Sequence, residues 1–379
     1  MELIEKAREE AVKTVERCIT PHGLYASGTY YGYTSVWARD SIITLIGACS
    51  EKNPKIQRVF AKTLETLAKH QTKLGQIPNC VDLFDKKRKH QVTFATLDSS
   101  CWFLLGHIAY SKAYKTKALL KKHKKNIELA FLWLDYQDSG EDSLPEQQPT
   151  SDWQDAFPHN YGHVLNTQAL YYAALLNYGK TPQAKNVKLL VNHNKRIPRF
   201  FDSKKGFFAP YVWKDHAGIV ERGDWFDSLA NSLSIALGLA EHSKAEKILK
   251  HIENKKINRP FPLKSIFPPI TKKSKYWHEY FLKCDSKGPL MYSNGGIWPM
   301  IGGFYIASLV RQKKFSKAEK ELELLAKANK QGKQKTWEFN EWLSGKTGKP
   351  KGGIYQAWSA GSFLFGYHCL KSKKIPFFK

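Results

Sequence analysis

The sequence predicts an all-α protein folded as a single (α/α)6 barrel. Three observations carry the prediction: six stretches apolar on nearly every side, six apolar on one side, and a regular alternation between the two kinds. A helix with one apolar stripe covers a core from outside, whereas a helix apolar all round must be buried all round. Six of each in alternation fit an inner ring of helices wrapped by an outer ring. The one-sided stretches fall at residues 2–19, 54–73, 116–136, 182–200, 243–253 and 315–330. Ile4, Ala7, Ala11, Val15 and Cys18 mark the stripe of the first, and Ile56, Phe60, Leu64 and Leu67 that of the second. The all-round apolar stretches fall at 38–50, 94–110, 162–179, 224–240, 296–310 and 353–370. The remaining segment, 254–294, is rich in proline and aromatic residues (RPFPLKSIFPPI, KYWHEYF) and reads as a long loop or a cap over one end.

The 379 residues exceed the usual size of one domain, but closed helical barrels reach this length undivided, so one domain over 1–379 is expected. Apolar residues at 42% and charged residues at 25% are the balance of a globular protein with a real core. No apolar run is long enough to span a membrane, and the N-terminal MELIEKAREEAVKTVERC lacks the apolar block of a signal peptide. Cys18, Cys49, Cys80, Cys101, Cys284 and Cys369 are scattered without C-x-x-C spacing, which predicts reduced thiols and a cytoplasmic protein. The net charge of +26 raises nucleic-acid binding as a reading. Its lysines, however, spread along amphipathic stretches such as KALLKKHKKNIELA and form no nucleic-acid motif, so a solvated basic exterior is preferred. Neither metal-ligand spacing nor a phosphate loop is present, so no metal and no cofactor are expected.

The loops leading into the buried helices are long and rich in aromatic residues, glycine and acids: HGLYASGTYYGYTSVWARD, SDWQDAFPHNYGH, VERGDWFDSLAN, GPLMYSNGGIWP and WEFNEWLSGKTGKPKGGIYQAW. In an inner ring of parallel helices these loops meet at one end. Trp37, Trp153, Trp225, Trp298, Trp337, Trp342 and Trp358 would then gather there with Asp40, Asp152, Asp155, Asp224, Asp227 and Glu341. Flat rings stack on sugar faces and acids hold hydroxyls, so the gathering predicts a sugar-binding cleft and an oligosaccharide substrate.

Cleaving a glycosidic bond requires a proton on the leaving oxygen and a nucleophile at the anomeric carbon. An inverting enzyme uses a protonated carboxylic acid opposite a carboxylate that activates water. Burial and neighbouring negative charge keep such an acid protonated. Asp155 in DWQDAF, between Trp153 and Phe157, suits that role, with Asp152 as rival and helix capping as the alternative explanation. Glu341 and Glu338 are the rival bases.

Several motifs resemble one group, the six-hairpin glycosidases. GHVLNTQALYYAAL is similar to the helix that follows the catalytic Asp in neutral/alkaline invertases and in the amylo-α-1,6-glucosidase domain of glycogen-debranching enzymes. YSNGGIWP resembles the invertase Y-H-N-G-G-x-W-P, and FNEWLSGKTGKPKGGIYQAWSAG its F-P-E-Y-x-D-G-x-T-G segment with the following Y-Q-x-W-S. VWARDSIITLIG is similar to the W-x-R-D segment of debranching enzymes and related glucosidases, and GQIPN and TLDSSCWF lean the same way. The resemblance runs from about residue 22 to 370.

The resemblance implies the (α/α)6 fold and inversion, with Asp155 as acid and Glu341 as base. It also implies an inverting hydrolase of α-glucosidic linkages in oligosaccharides, of the debranching type, with a neutral-invertase-like sucrose hydrolase as alternative. Ala156 and Phe157 stand where the invertases carry basic residues, which weighs against sucrose. Substrate contacts are expected from Trp37, Arg39, Asp40, Asp152, Trp153, His163, Asp224, Asp227, Trp298, Gln356 and Trp358. Arg39 with Asp40 could equally be a buried ion pair, and Asp98 a helix cap. His159 and His163 could equally be structural histidines. A sugar epimerase would centre on histidines, and a silent glycan-binding barrel would not need both acids, so both rank lower.

Overall fold

The structure, a computed structural model, describes residues 2–29, 33–82, 91–193 and 200–379. Among these, thirteen α-helices appear in the order α1 (Glu2–Arg17), α2 (Ala38–Ala48), α3 (Pro54–Lys69), α4 (Asp98–Ala113), α5 (Ala118–Lys122), α6 (Lys124–Asp135) and α7 (Leu165–Asn177). There follow α8 (Thr181–His193), α9 (Ser228–Ala236), α10 (His242–Asn254), α11 (Pro299–Arg311), α12 (Phe315–Lys330) and α13 (Ala357–Ser372).

Burial separates them into the two expected kinds. Every residue of α2 is buried, as is every residue of α9 and each one from Asp98 to Tyr110 in α4. By contrast α1 buries only Ile4, Ala7, Ala11, Thr14 and Val15, one face at the helical period. The six all-round buried helices touch in a closed cycle: α2 packs on α4, α4 on α7, α7 on α9, α9 on α11, α11 on α13, and α13 back on α2. The one-faced helices pack outside them, α3 against α2 and α4, α8 against α7, and α12 against α11 and α13. Filling the interior are large side chains such as Phe60, Phe103, Tyr305 and Phe363. Each contributes about 1.5–3 kcal/mol by leaving water. The predicted stretch 116–136 is split at His123 into α5 and α6. The end of the predicted stretch 182–200 lies outside the described residues beyond His193.

Short antiparallel ladders fix the loops that lead into the inner helices. Val36–Trp37 pairs with Cys80–Val81 directly ahead of α2, and His163–Val164 pairs with Val212 and Tyr211 directly ahead of α7. Phe226–Asp227 pairs with Ile266–Phe267 ahead of α9. These two-residue strands explain why α7 and α9 begin later than the apolar runs that predicted them. Asp227 caps α9 by accepting from the Ala230 N–H at 2.9 Å, and Pro299 opens α11 with its φ already helical. Segment 254–294 is irregular apart from the Ile266–Phe267 strand and 3-10 turns at Glu279–Lys283 and Asp285–Lys287. It packs on the loop ahead of α7, with Phe281 against Phe157 at 4.5 Å between ring centres.

No described helix is long and apolar enough to cross a membrane.

Candidate active site

One cavity collects side chains from four of the approaches that lead into inner helices, one of them shared with segment 254–294. Trp37 and Arg39 come from the junction into α2, Trp153 and Asp155 from the loop ahead of α7, and Tyr292 and Trp298 from the approach to α11. Glu341, Gln356 and Trp358 come from the approach to α13, and Tyr33 and Asp40 complete the lining. Its aromatic wall is a chain of edge-to-face contacts: Trp153 to Trp298 at 5.5 Å, Trp298 to Trp358 at 5.6 Å, and Tyr292 to Trp298 at 5.0 Å. Each ring is thereby held at a fixed tilt.

Arg39 is buried at the start of α2 and faces three carboxylates, with Asp40 and Asp98 at 3.6 Å and Asp155 at 3.7 Å. Burial lifts the Asp40 carboxyl to about 7 against the opposing pull of Arg39. Asp155 is open to the cavity, its side chain 42% exposed, yet ringed by protein. Desolvation raises its carboxyl above the ordinary range, Arg39 pulls it down, and Asp98 pushes it up.

Glu341 is only 6% exposed. Its Oε2 accepts the Gly353 N–H at 2.9 Å and its Oε1 accepts the Tyr33 hydroxyl at 3.4 Å. Burial raises its carboxyl, while those two donors favour the ionised form. The chain reaches this arrangement through Gly352, at φ +65°: a Cβ there would stand 2.5 Å from Glu341 Oε2. Several polar atoms of the lining have no hydrogen-bond partner in the protein, among them Trp37 Nε1, Arg39 Nη1, Asp40 Oδ2, Gln356 Nε2 and Trp358 Nε1. A hydroxyl-rich ligand offers donors and acceptors to all of them.

Of the residues predicted from sequence, the structure brings Trp37, Arg39, Asp40, Trp153, Asp155, Trp298, Glu341, Gln356 and Trp358 to this cavity. Four others it places elsewhere. Asp152 is buried behind the wall, where its Oδ1 accepts the Gln154 N–H at 2.8 Å. Asp227 caps α9, Asp224 pairs with Lys205 at 2.6 Å on the surface, and His163 faces Asp142 at 3.1 Å and Glu146 at 3.6 Å. Those four do not line the cavity: Asp227 serves a helix start, Asp224 a surface pair, Asp152 a loop turn and His163 a buried pairing with acids. The rival base Glu338 is engaged by backbone N–H groups of Lys333, Gln334 and Lys335 at 2.6, 3.2 and 2.9 Å. His159 stacks on His278 at 4.0 Å outside the cavity. Of the seven tryptophans expected at one mouth, Trp225 packs in a separate cluster with Tyr211, and Trp342 stands behind Tyr292. Trp337 lies near Phe339.

Sequence reasoning does not single out Tyr33 and Tyr292. Each lies in a motif that stands out for other residues, YGYTSVWARD and YSNGGIWP. Among the described residues no cluster of His, Cys, Asp and Glu suits a metal ion.

Residues 192–373 match the family model described as alkaline and neutral invertase. The matched stretch contains Glu341 and starts after Asp155. A search of curated proteins finds no match. Among solved structures, the chain is similar to a GH63 mannosylglycerate hydrolase from Thermus thermophilus, with a TM-score of 0.68 and 14% identity over 94% of this chain and 99% of that one. It is also similar to a wild-type glycosidase at 0.66 and 12%, covering 97% of each chain. A rhamnosidase from Klebsiella oxytoca aligns at 0.65 and 12% over 96% of this chain and 63% of that one. The chain thus shares the fold of these glycosidases, and its C-terminal half carries the invertase-type match.

Proposed function

We propose that the protein is an inverting hydrolase that removes single sugar units from α-glucosidic linkages of short oligosaccharides, with Asp155 as general acid and Glu341 as general base. The observation that carries this reading is the meeting of these two carboxylates, in different surroundings, in one tryptophan-lined cavity.

In this mechanism desolvation keeps the proton on Asp155, which passes it to the glycosidic oxygen as the bond to the anomeric carbon breaks. Arg39, 3.7 Å away, then stabilises the carboxylate left behind. Glu341, held by Gly353 and Tyr33, takes a proton from the water that attacks the anomeric carbon from the opposite face. Trp37, Trp153, Trp298 and Trp358 seat the ring, and Arg39, Asp40 and Gln356 hold its hydroxyls. The architecture is read as one (α/α)6 barrel over 1–379, supported by the closed cycle of six buried helices, with 254–294 at its mouth, supported by Tyr292. A cytoplasmic location is supported by six cysteines without a disulfide.

A second reading, sucrose hydrolysis, is favoured by the invertase-type match over 192–373. The mannosylglycerate hydrolases, nearly equal to this chain in length, favour a small glycoside over a glycogen branch. Incubation with isomaltose, panose, a limit dextrin, sucrose and mannosylglycerate, followed by NMR, separates these readings. The expected result is β-glucose appearing first from isomaltose or panose. Release of the α-anomer first would overturn inversion, and cleavage of sucrose alone would establish the second reading.

A further inference from the structure

A second cleft, of about 750 Å³, lies where the loop after α6 meets the loop ahead of α7 and the strand Tyr211–Lys214, and it shares no residue with the cavity. Three rings line it: Tyr136, 65% exposed, and the half-buried Tyr161 and Trp213, whose centres lie 5.7 Å apart. Gln137, Gln147 and Gln148 also line it.

Its construction is specific. Gln147 and Gly162 exchange backbone hydrogen bonds at 2.9 Å and form the floor. Gly162 sits at φ +69°, and a Cβ there would come within 2.9 Å of the Trp213 ring, so the indole lies directly on glycine backbone. Gln147 is 7% exposed, and its Oε1 accepts the Thr167 hydroxyl while its Nε2 has no partner in the protein. His163, which contacts no part of the cavity, stands 3.6 Å from Glu146 at the cleft's edge and holds it in place.

The charge of the lining indicates the ligand. In a chain with 60 lysines and arginines, none among the described residues lines this cleft, whose one charged group is Glu146, whereas three other surface clefts each carry at least two basic residues. A polyanion would find no counter-charge here. Rings that present flat π-faces, together with amides that both donate and accept, suit a neutral polyhydroxylated ligand with apolar C–H faces.

We propose that this cleft is a second carbohydrate-binding site, taking an uncharged oligosaccharide and standing apart from the cavity that holds Asp155. Tyr161 lies on the same loop as Asp155, and the six peptide units between them span at most about 21 Å. One oligosaccharide of several units could thus reach both. The site does not depend on the hydrolytic assignment of Asp155 and Glu341.

The test reads the cleft directly. The full chain is labelled with 5-fluorotryptophan, and the Trp213 ¹⁹F resonance is assigned with Trp213→Phe. It is then titrated with maltose, maltoheptaose, isomaltotriose and raffinose in the Asp155→Asn background. A saturable shift of the Trp213 resonance is expected, with its midpoint weakened about tenfold, near 1.4 kcal/mol, by Tyr136→Ala at an exposed position. A Trp213 resonance unmoved by every sugar overturns the proposal, whether or not Trp37, Trp153, Trp298 and Trp358 respond. So does a midpoint unchanged by both Tyr136→Ala and Gln148→Ala, or a larger shift with polyphosphate than with any sugar.

Discussion

Three carboxylates line the cavity, Asp40, Asp155 and Glu341, and three lie behind its wall, Asp98, Asp152 and Asp227. Desolvation raises all six, and Asp152 and Asp227 reach about 7, just as Asp40 does. The sets differ in what their oxygens face. Asp152 and Asp227 give an oxygen to a backbone N–H and Asp98 faces Arg39, whereas Asp155 opens to the cavity. A raised carboxyl therefore does not mark chemistry by itself; it marks chemistry only where substrate can reach it.

The sharpest way to break this comparison is to neutralise one acid from each set. Asp155→Asn and Glu341→Gln are each expected to lower kcat by about 10²–10⁴-fold on the best substrate of the sugar panel. Asp152→Asn, three residues from Asp155 and similarly lifted, should stay within about tenfold of the parent, because it touches no substrate. Steady-state kinetics on variants shown by circular dichroism to be folded would decide. Equal losses for Asp152→Asn and Asp155→Asn would erase the distinction.

Much of this distinction is only partly legible in the sequence. The inner helices are legible because burial on every side leaves an apolar run whatever the partners, as in 94–110 and 353–370. Their starts are less legible where two-residue ladders such as Phe226–Asp227 intervene, since so short a strand has no period to read. Within SDWQDAF the residue types alone leave Asp152 and Asp155 as rivals. The structure shows Trp153 and Asp155 on the cavity and Asp152 and Gln154 buried away from it, in a stretch of bends tightened by the Gln154 N–H donating to Asp152 Oδ1. Sequence cannot supply this because the loop has no regular pattern. Tyr33 and Tyr292 escape sequence reasoning for a related reason: their motifs stand out, but which ring of a motif faces inward depends on loop geometry.

Arg39 touches both sets, so removing it sharpens the comparison. Arg39→Met leaves Asp98 buried without its cation, at a cost of about 3 kcal/mol or more, read as a lowered unfolding midpoint in urea. Because Arg39 holds Asp155 down, its loss should also raise that carboxyl and carry the alkaline limb of the kcat/KM profile to higher pH. A limb that stays in place would mean that Asp155 is not the proton donor.

The wall acids have a consequence for stability of their own. Asp152 has a folded value of about 7 against an ordinary value of 3.8, so between these the native state binds more protons than the unfolded one. Its contribution is therefore fully present below about 4 and is lost as pH rises through about 7. Asp152→Asn cannot ionise, so its unfolding free energy should fall less between pH 5 and pH 8 than that of the parent, as urea melts at the two values would show. An identical fall in both proteins would remove Asp152 from the titrating set.

Asp227 allows the smallest effect to be separated into two parts. It is lifted to about 7 by burial, and its Oδ1 also caps α9. Asp227→Ala loses the acceptor for the Ala230 N–H, at about 1 kcal/mol at pH 5, where a protonated carboxyl still caps through its carbonyl oxygen. The deficit should shrink at pH 8 because Ala, too, removes the ionisable group. Asp227→Asn keeps an acceptor of the same reach and removes the ionisable proton. It should match the parent at pH 5 and exceed it at pH 8, where the parent holds a desolvated charge. Urea melts at both values, with KM measured alongside, would check this. A KM that rises several-fold in the folded Asn variant would instead bring Asp227 into contact with substrate, moving it from the wall to the cavity side of the comparison.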